Sequence, residues 1–209
     1  MATTVRSILN RSAALLNDEE HTRWEESELL EWMNDGQRVI ARGPATDVYV
    51  LRANITAVAG SVQSLPIDGI RLVDVVKNVA AGGAIQSTDY ALVDMLSSTW
   101  RAGTAGVAEN FFYDENNPKE FELYPPQAGG ESIEIVYNAQ PADAVVTGNI
   151  IIDDMYADAL IDYVAYRAFS KDTEDTSGQL GRATAFYKAF LVGAGMKDLT
   201  DARIEPGSS

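Results

Sequence analysis

Read for the spacing of its apolar positions, the chain divides into three stretches, with a helical period at each end and a strand period between. Near the start, Val5, Ile8, Leu9, Ala13 and Leu16 recur three and four apart. That spacing gives a helix one apolar face, with Thr3 or Thr4 as its cap and an end near Asn17. A second helix is predicted over residues 25–42, with Leu29, Met33, Gly36 and Ile40 as its buried stripe and Leu30 widening it. Gly43-Pro44 ends it, because glycine accepts the left-handed cap and proline cannot continue the hydrogen-bond ladder.

From residue 47 to 140 the period changes to two. Tyr49, Leu51 and Ala53 alternate with Val50 and Arg52, and an Ala59-Gly60 turn leads to Val62 and Leu65 before Pro66, which predicts a hairpin. Residues 70–76 are the next strand, closed by Gly82-Gly83, and residues 88–96 a short helix capped by Thr88. Strands follow over 110–113, 120–124 and 132–137. Turn chemistry at 114–118, and at Pro125-Pro126 with Gly129-Gly130, separates them and favours antiparallel connections.

Helical spacing returns near Ile151. Met155, Ala159, Tyr163 and Tyr166 line one side while Leu160, Ile161, Val164 and Phe169 supply much of the other, so this helix is expected in the middle of a bundle. A last helix from Ser177 carries Leu180, Ala183, Ala185, Tyr187, Phe190, Leu191 and Ala194 and stops at Gly195. Residues 197–209 have no amphipathic period and are expected to be a flexible tail. The order predicts an α+β fold: a four-helix bundle from residues 1–44 and 150–196, with an antiparallel β module, residues 45–149, inserted between helices 2 and 3. No internal repeat stands out.

Charge narrows the function. The 209 residues hold 31 acids against 16 Lys and Arg, a formal net charge of −15. Nucleic-acid grip needs cations that displace counterions from phosphates, so it is disfavoured, and anionic membranes are disfavoured likewise. With 46% hydrophobic residues the chain is globular rather than disordered, and there is no cysteine for disulfides, thiolate metal sites or thiol catalysis. No apolar run approaches the ~18 residues of a membrane span. Asn10, Arg11 and Ser12 interrupt the stretch where a signal peptide would be apolar, so the protein is expected to be cytosolic where it is made.

Candidate chemistry is sparse. The single histidine, His21, sits in the acidic loop Asp18-Glu19-Glu20-His21-Thr22 and reads as a solvated loop residue rather than an acid–base group. No nucleophilic triad can be assembled around it, and neither glycine pair belongs to a phosphate-cradling loop. Asp154, Asp158 and Asp162 fall four apart on the third long helix, with Asp153 beside them, and like charges at that spacing cost a few tenths of a kcal/mol per pair. The stripe is foremost a solvated polar face, then a partner for Arg or Lys of this or a neighbouring subunit, and last a metal site, since no further ligand completes it. No cofactor is expected. Trp24 and Trp32 belong to the core or bundle edge, whereas Trp100, in a polar loop beside Arg101, is either folded back over the sheet or waiting for a partner.

Several stretches together resemble a known family. Arg23-Trp24-Glu25-Glu26-Ser27-Glu28-Leu29-Leu30-Glu31-Trp32-Met33-Asn34-Asp35-Gly36-Gln37 resembles the opening of the adaptor proteins of tailed bacteriophages, the rings that join the portal in the head to the tail. Leu65-Pro66 with residues 69–75, and residues 121–126, resemble the family's β module, and residues 159–172 with Arg182-Ala183, Tyr187 and Phe190 its last two helices. The resemblance covers residues 4 to 196. It carries no catalytic motif. It implies a ring, commonly of twelve copies, with the portal and a tail nozzle or tail-tube protein as partners, located at the head–tail junction of the virion. DNA would pass through the channel without specific binding, repelled by negative charge such as that of Asp154, Asp158 and Asp162. The C-terminal segment would reach onto the portal, which makes Lys197, Leu199, Arg203 and Ile204, together with Trp100 and Arg101, the candidate partner-interface residues. Two other readings stand beside this one: a tail-completion or neck protein that does not touch the portal, and a metal-dependent hydrolase using the aspartate stripe.

Overall fold

A computed structural model describes residues 2–43, 48–171 and 177–196. It is an α+β protein whose described residues form five α-helices and two sheets. Two compact units divide the chain: residues 1–48 with 141–209, and residues 49–140.

The first unit is helical. Helix α1, Val5–Leu15, begins where the Thr4 side chain accepts from the Ser7 N–H, and it buries Val5, Ile8, Leu9 and Ala13. Helix α2, Glu26–Ala41, buries Leu29, Met33, Gly36 and Ile40 as the spacing predicts, and adds Asn34 and Gln37. The residues around Met155 form a 3-10 turn, Asp154–Tyr156, and α4 proper runs Ala157–Lys171. Three residues per turn instead of 3.6 throw Met155 out of the apolar phase, so it is 73% exposed rather than part of the stripe. Helix α5, Ser177–Gly193, ends at a left-handed Gly195, φ +68°. Leu160, Val164, Ala165 and Ala168 of α4 are fully buried, which makes it the central helix expected. The predicted tail and Pro44 lie outside the described residues.

The second unit is two sheets. One has the order β1 (Val50–Thr56), β7 (Ser132–Ala139), β3 (Gly69–Asn78); the other β2 (Gly60–Ser64), β6 (Glu120–Gln127), β5 (Asn110–Tyr113), β4 (Gln86–Ser87). Its core is formed by Leu72, Val75, Phe121, Leu123, Ile133, Ile135 and their neighbours.

Four expectations are corrected here. The hairpin across Ala59-Gly60 does not form: β1 pairs with β7, Val50 opposite Asn138, while β2 pairs with β6 in the other sheet. Pro125-Pro126 is not a turn but lies inside β6 after a cis Tyr124–Pro125 bond. Proline lacks only the donor, and its neighbours' carbonyls still serve: Tyr124 O accepts from Glu109 N–H and Pro126 O from Gly106 N–H. The short helix α3, Tyr90–Leu96, is capped by Asp89, whose carboxylate accepts from Ala91 N–H. Thr88 instead accepts from the Asn110 side chain at 2.8 Å. Finally, β4 joins β5 in parallel, so the pairing is not wholly antiparallel.

Candidate functional site

The stretch 23–37 folds into a set of fasteners. Ahead of it, Asp18 turns the chain by accepting from the N–H groups of Thr22, Arg23 and Trp24 and from the Thr22 hydroxyl. These donors, the Trp24 amide first, pull its pKa down to about 2 against the opposing effect of burial. Trp24 then meets Trp32 edge to face at 5.6 Å, and the Lys171 ammonium from the end of α4 sits 5.5 Å over the first ring while pairing with Glu28.

Asn34, Asp35, Gly36 and Gln37 each do one job. The Asn34 amide accepts from Ala144 N–H at 2.9 Å and donates to Ala144 O at 3.1 Å, pinning the chain as it returns to the helical unit. Asp35 pairs with Arg38 at 2.7 Å and with Arg167 of α4 at 3.3 Å. Gly36 leaves room for α4, since a Cβ there would lie 3.1 Å from both Leu160 Cδ2 and Tyr163 Cδ1. Gln37, with no exposed surface, donates to Asn34 Oδ1 at 3.0 Å and accepts from Ile151 N–H at 2.7 Å.

Two of the three stripe aspartates, Asp154 and Asp158, are engaged within the chain. Asp154 accepts from Thr3 N–H at 2.6 Å, Asp158 pairs with Arg11 at 2.6 Å, and Asp153 accepts from Met155 N–H at 2.9 Å. Asp162 is half-buried, and its pKa is raised, first by burial and then by the charge of Asp158. Among the described residues no group of three or more His, Asp or Glu is placed to hold a metal ion. Pairing within the subunit, one of the readings left open above, is what Asp158 adopts.

Trp100 is folded back. It is 3% exposed, its indole N–H donates to Asp94 at 2.8 Å, and its ring packs on Phe112 at 5.2 Å and Tyr124 at 5.6 Å. It is therefore not a presented docking side chain, because the loop's polar sequence conceals the apolar pocket that β5 and β6 supply. Arg101 clamps over it, 4.4 Å from the ring, and pairs with Glu122 at 2.9 Å and Asp94 at 3.1 Å. His21 lies in its loop at φ +52°, half-buried, with its amide donating to Asp18 O at 3.0 Å. Lys197, Leu199, Arg203 and Ile204 lie outside the described residues.

Sequence reasoning missed Asn34 and Gln37 as buried tethers, although their place on the buried side of α2, one position from Met33 and from Gly36, was a signal. A shallow cleft of about 520 Å³ in the second unit is lined by Asn78, Ala80, Ala81, Val107 and Ser132, among others, and of these only the carboxylate of Glu131 is charged.

Polar side chains in both units thus go to tying elements together, and no described helix is long and apolar enough to cross a membrane. Residues 3–208 match the family described as SU10 adaptor protein, and the chain belongs to that family of phage head-to-tail adaptors. The family is structural, and adaptors of this kind act with portal and tail components in the virion. No curated protein matches the chain.

Proposed function

We propose that the chain is the ring-forming adaptor between portal and tail, and that it lets DNA through without holding it. The family match across nearly the whole chain carries this reading. In it, α1, α2, α4 and α5 work as a four-helix bundle seated on the portal, with the inserted β module turned to the tail. Residues 197–209 fasten the ring by ordering on the portal.

Net charge supports the passage of DNA, because a surplus of fifteen negative charges repels phosphates over the surface as a whole. The source of that repulsion shifts from Asp154 and Asp158, which are engaged, to exposed acids without an ion pair among the described residues: Glu19, Glu20, Glu31, Asp74, Glu109 and Glu115. Capture on rings of the portal protein from the same phage tests the reading. The full chain is expected to bind, a variant lacking residues 197–209 to bind more weakly at an unchanged melting temperature, and a short DNA duplex not to be retained by either. Equal portal affinity of the truncated chain would remove the tail from the account, and failure of the full chain to bind would favour a neck or tail-completion protein.

A further inference from the structure

The cleft in the second unit is built from three pieces of chain: the end of β3 with the turn after it, the segment 105–107, and the turn 128–131 that leads into β7. Asn78 closes β3 and is 6% exposed. Its N–H donates to Gly83 O at 2.9 Å, its O accepts from Gly82 N–H at 2.8 Å, and its Nδ2 donates to Ala108 O at 2.7 Å and to Gly83 O at 3.3 Å. Oδ1 alone is left over, accepting nothing among the described residues. A buried amide oxygen ordinarily has a donor, and Asn78 lines the cleft.

The second polar group is a charge. Glu131 is half-buried in the same lining, where its Oε2 accepts from Gly129 N–H at 2.8 Å, and it forms no ion pair with a described Lys or Arg. The remaining walls are small and apolar, with Ala80, Ala81, Ala105, Val107 and Ala128 exposed. A ligand that complements this lining carries donors and positive charge on an apolar stem, which is the chemistry of an arginine or lysine side chain.

The open walls favour a chain over a small molecule, since a small-molecule pocket buries most of its ligand. Backbone donors are available too. The segment 105–107 joins β6 through Gly106 N–H to Pro126 O at 3.0 Å, whereas the Ala105 and Val107 N–H groups hold no bond among the described residues. We infer that the cleft takes an extended segment of a partner protein, whose basic side chain donates to Asn78 Oδ1 and the Glu131 carboxylate while an apolar neighbour packs on the alanine walls. The chain's own residues 197–209 are a poorer match, because they carry three acids against two bases. The contact involves residues of the second unit alone, so it holds or fails independently of the portal and ring.

Amide chemical shifts of the isotope-labelled full chain, titrated with acetyl-Val-Arg-Val-amide, test this. Saturable shifts confined to Asn78, Val107, Glu131 and their neighbours are expected, with acetyl-Val-Glu-Val-amide binding about tenfold more weakly or not at all. Glu131→Gln, which keeps an acceptor for the Gly129 N–H, should weaken the arginine peptide about threefold or more, and Ala128→Trp, on an exposed wall, should block it at an unchanged melting temperature. Should Ala128→Trp not fold, Glu131→Gln and the charge reversal in the peptide still decide. A wild-type chain without saturable shifts, equal binding of the two peptides, or indifference to Glu131→Gln overturns the inference. So does ethylguanidinium binding as tightly as the arginine peptide, which makes the cleft a small-cation site, or a peptide of residues 199–206 doing so, which assigns it to this chain's own tail.

Discussion

Replacing Gln37 by Ala removes the amide that joins α2 to the returning chain. Gln37 is fully buried, and its Oε1 accepts from Ile151 N–H at 2.7 Å and more distantly from Ile152 N–H at 3.4 Å. Its Nε2 donates to Asn34 Oδ1, which also holds Ala144. Orphaning the Ile151 amide costs about 1–3 kcal/mol, and loss of one packed methylene adds about 1 kcal/mol, giving about 2–4 kcal/mol. For a chain of 209 residues that corresponds to a fall in melting temperature of about 4–16 °C. Thermal unfolding by circular dichroism reads the global effect. Hydrogen exchange reads the local one, since the Ile151 amide should exchange at least about tenfold faster while β7 amides keep their protection. A melting temperature within about 1 °C of the wild type, or an unchanged Ile151 amide, would refute the tether and the role given to the Asn34–Gln37 segment.

Three further outcomes follow from the same geometry. Trp100→Ala, which empties a buried site lined by Phe112 and Tyr124, should cost about 3–5 kcal/mol in chemical denaturation, whereas a tryptophan held out for a partner would change stability little. Acid titration should expose Asp18: its folded pKa is depressed to about 2, below the unfolded value, so its stabilisation is present above about pH 4 and is lost as pH falls toward 2. Asp18→Asn should flatten that part of the stability curve, and an unchanged curve would show that the four donors do not favour the carboxylate. Asp162 has the opposite sign, since a raised carboxyl pKa penalises the fold as pH rises through it, so Asp162→Asn should raise the melting temperature at neutral pH and leave it unchanged in acid.

The helices were legible because amphipathic spacing and caps are local: Thr4, the Leu29–Met33–Gly36–Ile40 stripe and Gly195 all stand where the sequence places them. Strand positions were legible too, with 110–113 matching β5 at both ends. Pairing was not. Alternation in 50–56 marks a strand with two unlike faces, but its partner β7 lies about 80 residues away and is chosen by packing of Ile55 and Ile135 into a shared core, which no turn signal encodes. The candidate site divides in the same way. The acidic stripe was visible as a spacing, yet its engagement depends on Thr3 and Arg11, which the fold brings from the other end of the chain. Trp100 looked available because its neighbours are polar, and it is buried because Asp94, Phe112 and Tyr124 converge on it.

The central claim is that this chain forms the ring joining portal to tail. Electron cryomicroscopy of the intact phage particle tests it most directly. The account predicts density for a closed ring of this fold directly on the portal, with residues 197–209 lying against portal subunits and a DNA channel without bound phosphate contacts. The same map with the fold placed elsewhere in the tail, or with no contact to the portal, would contradict it.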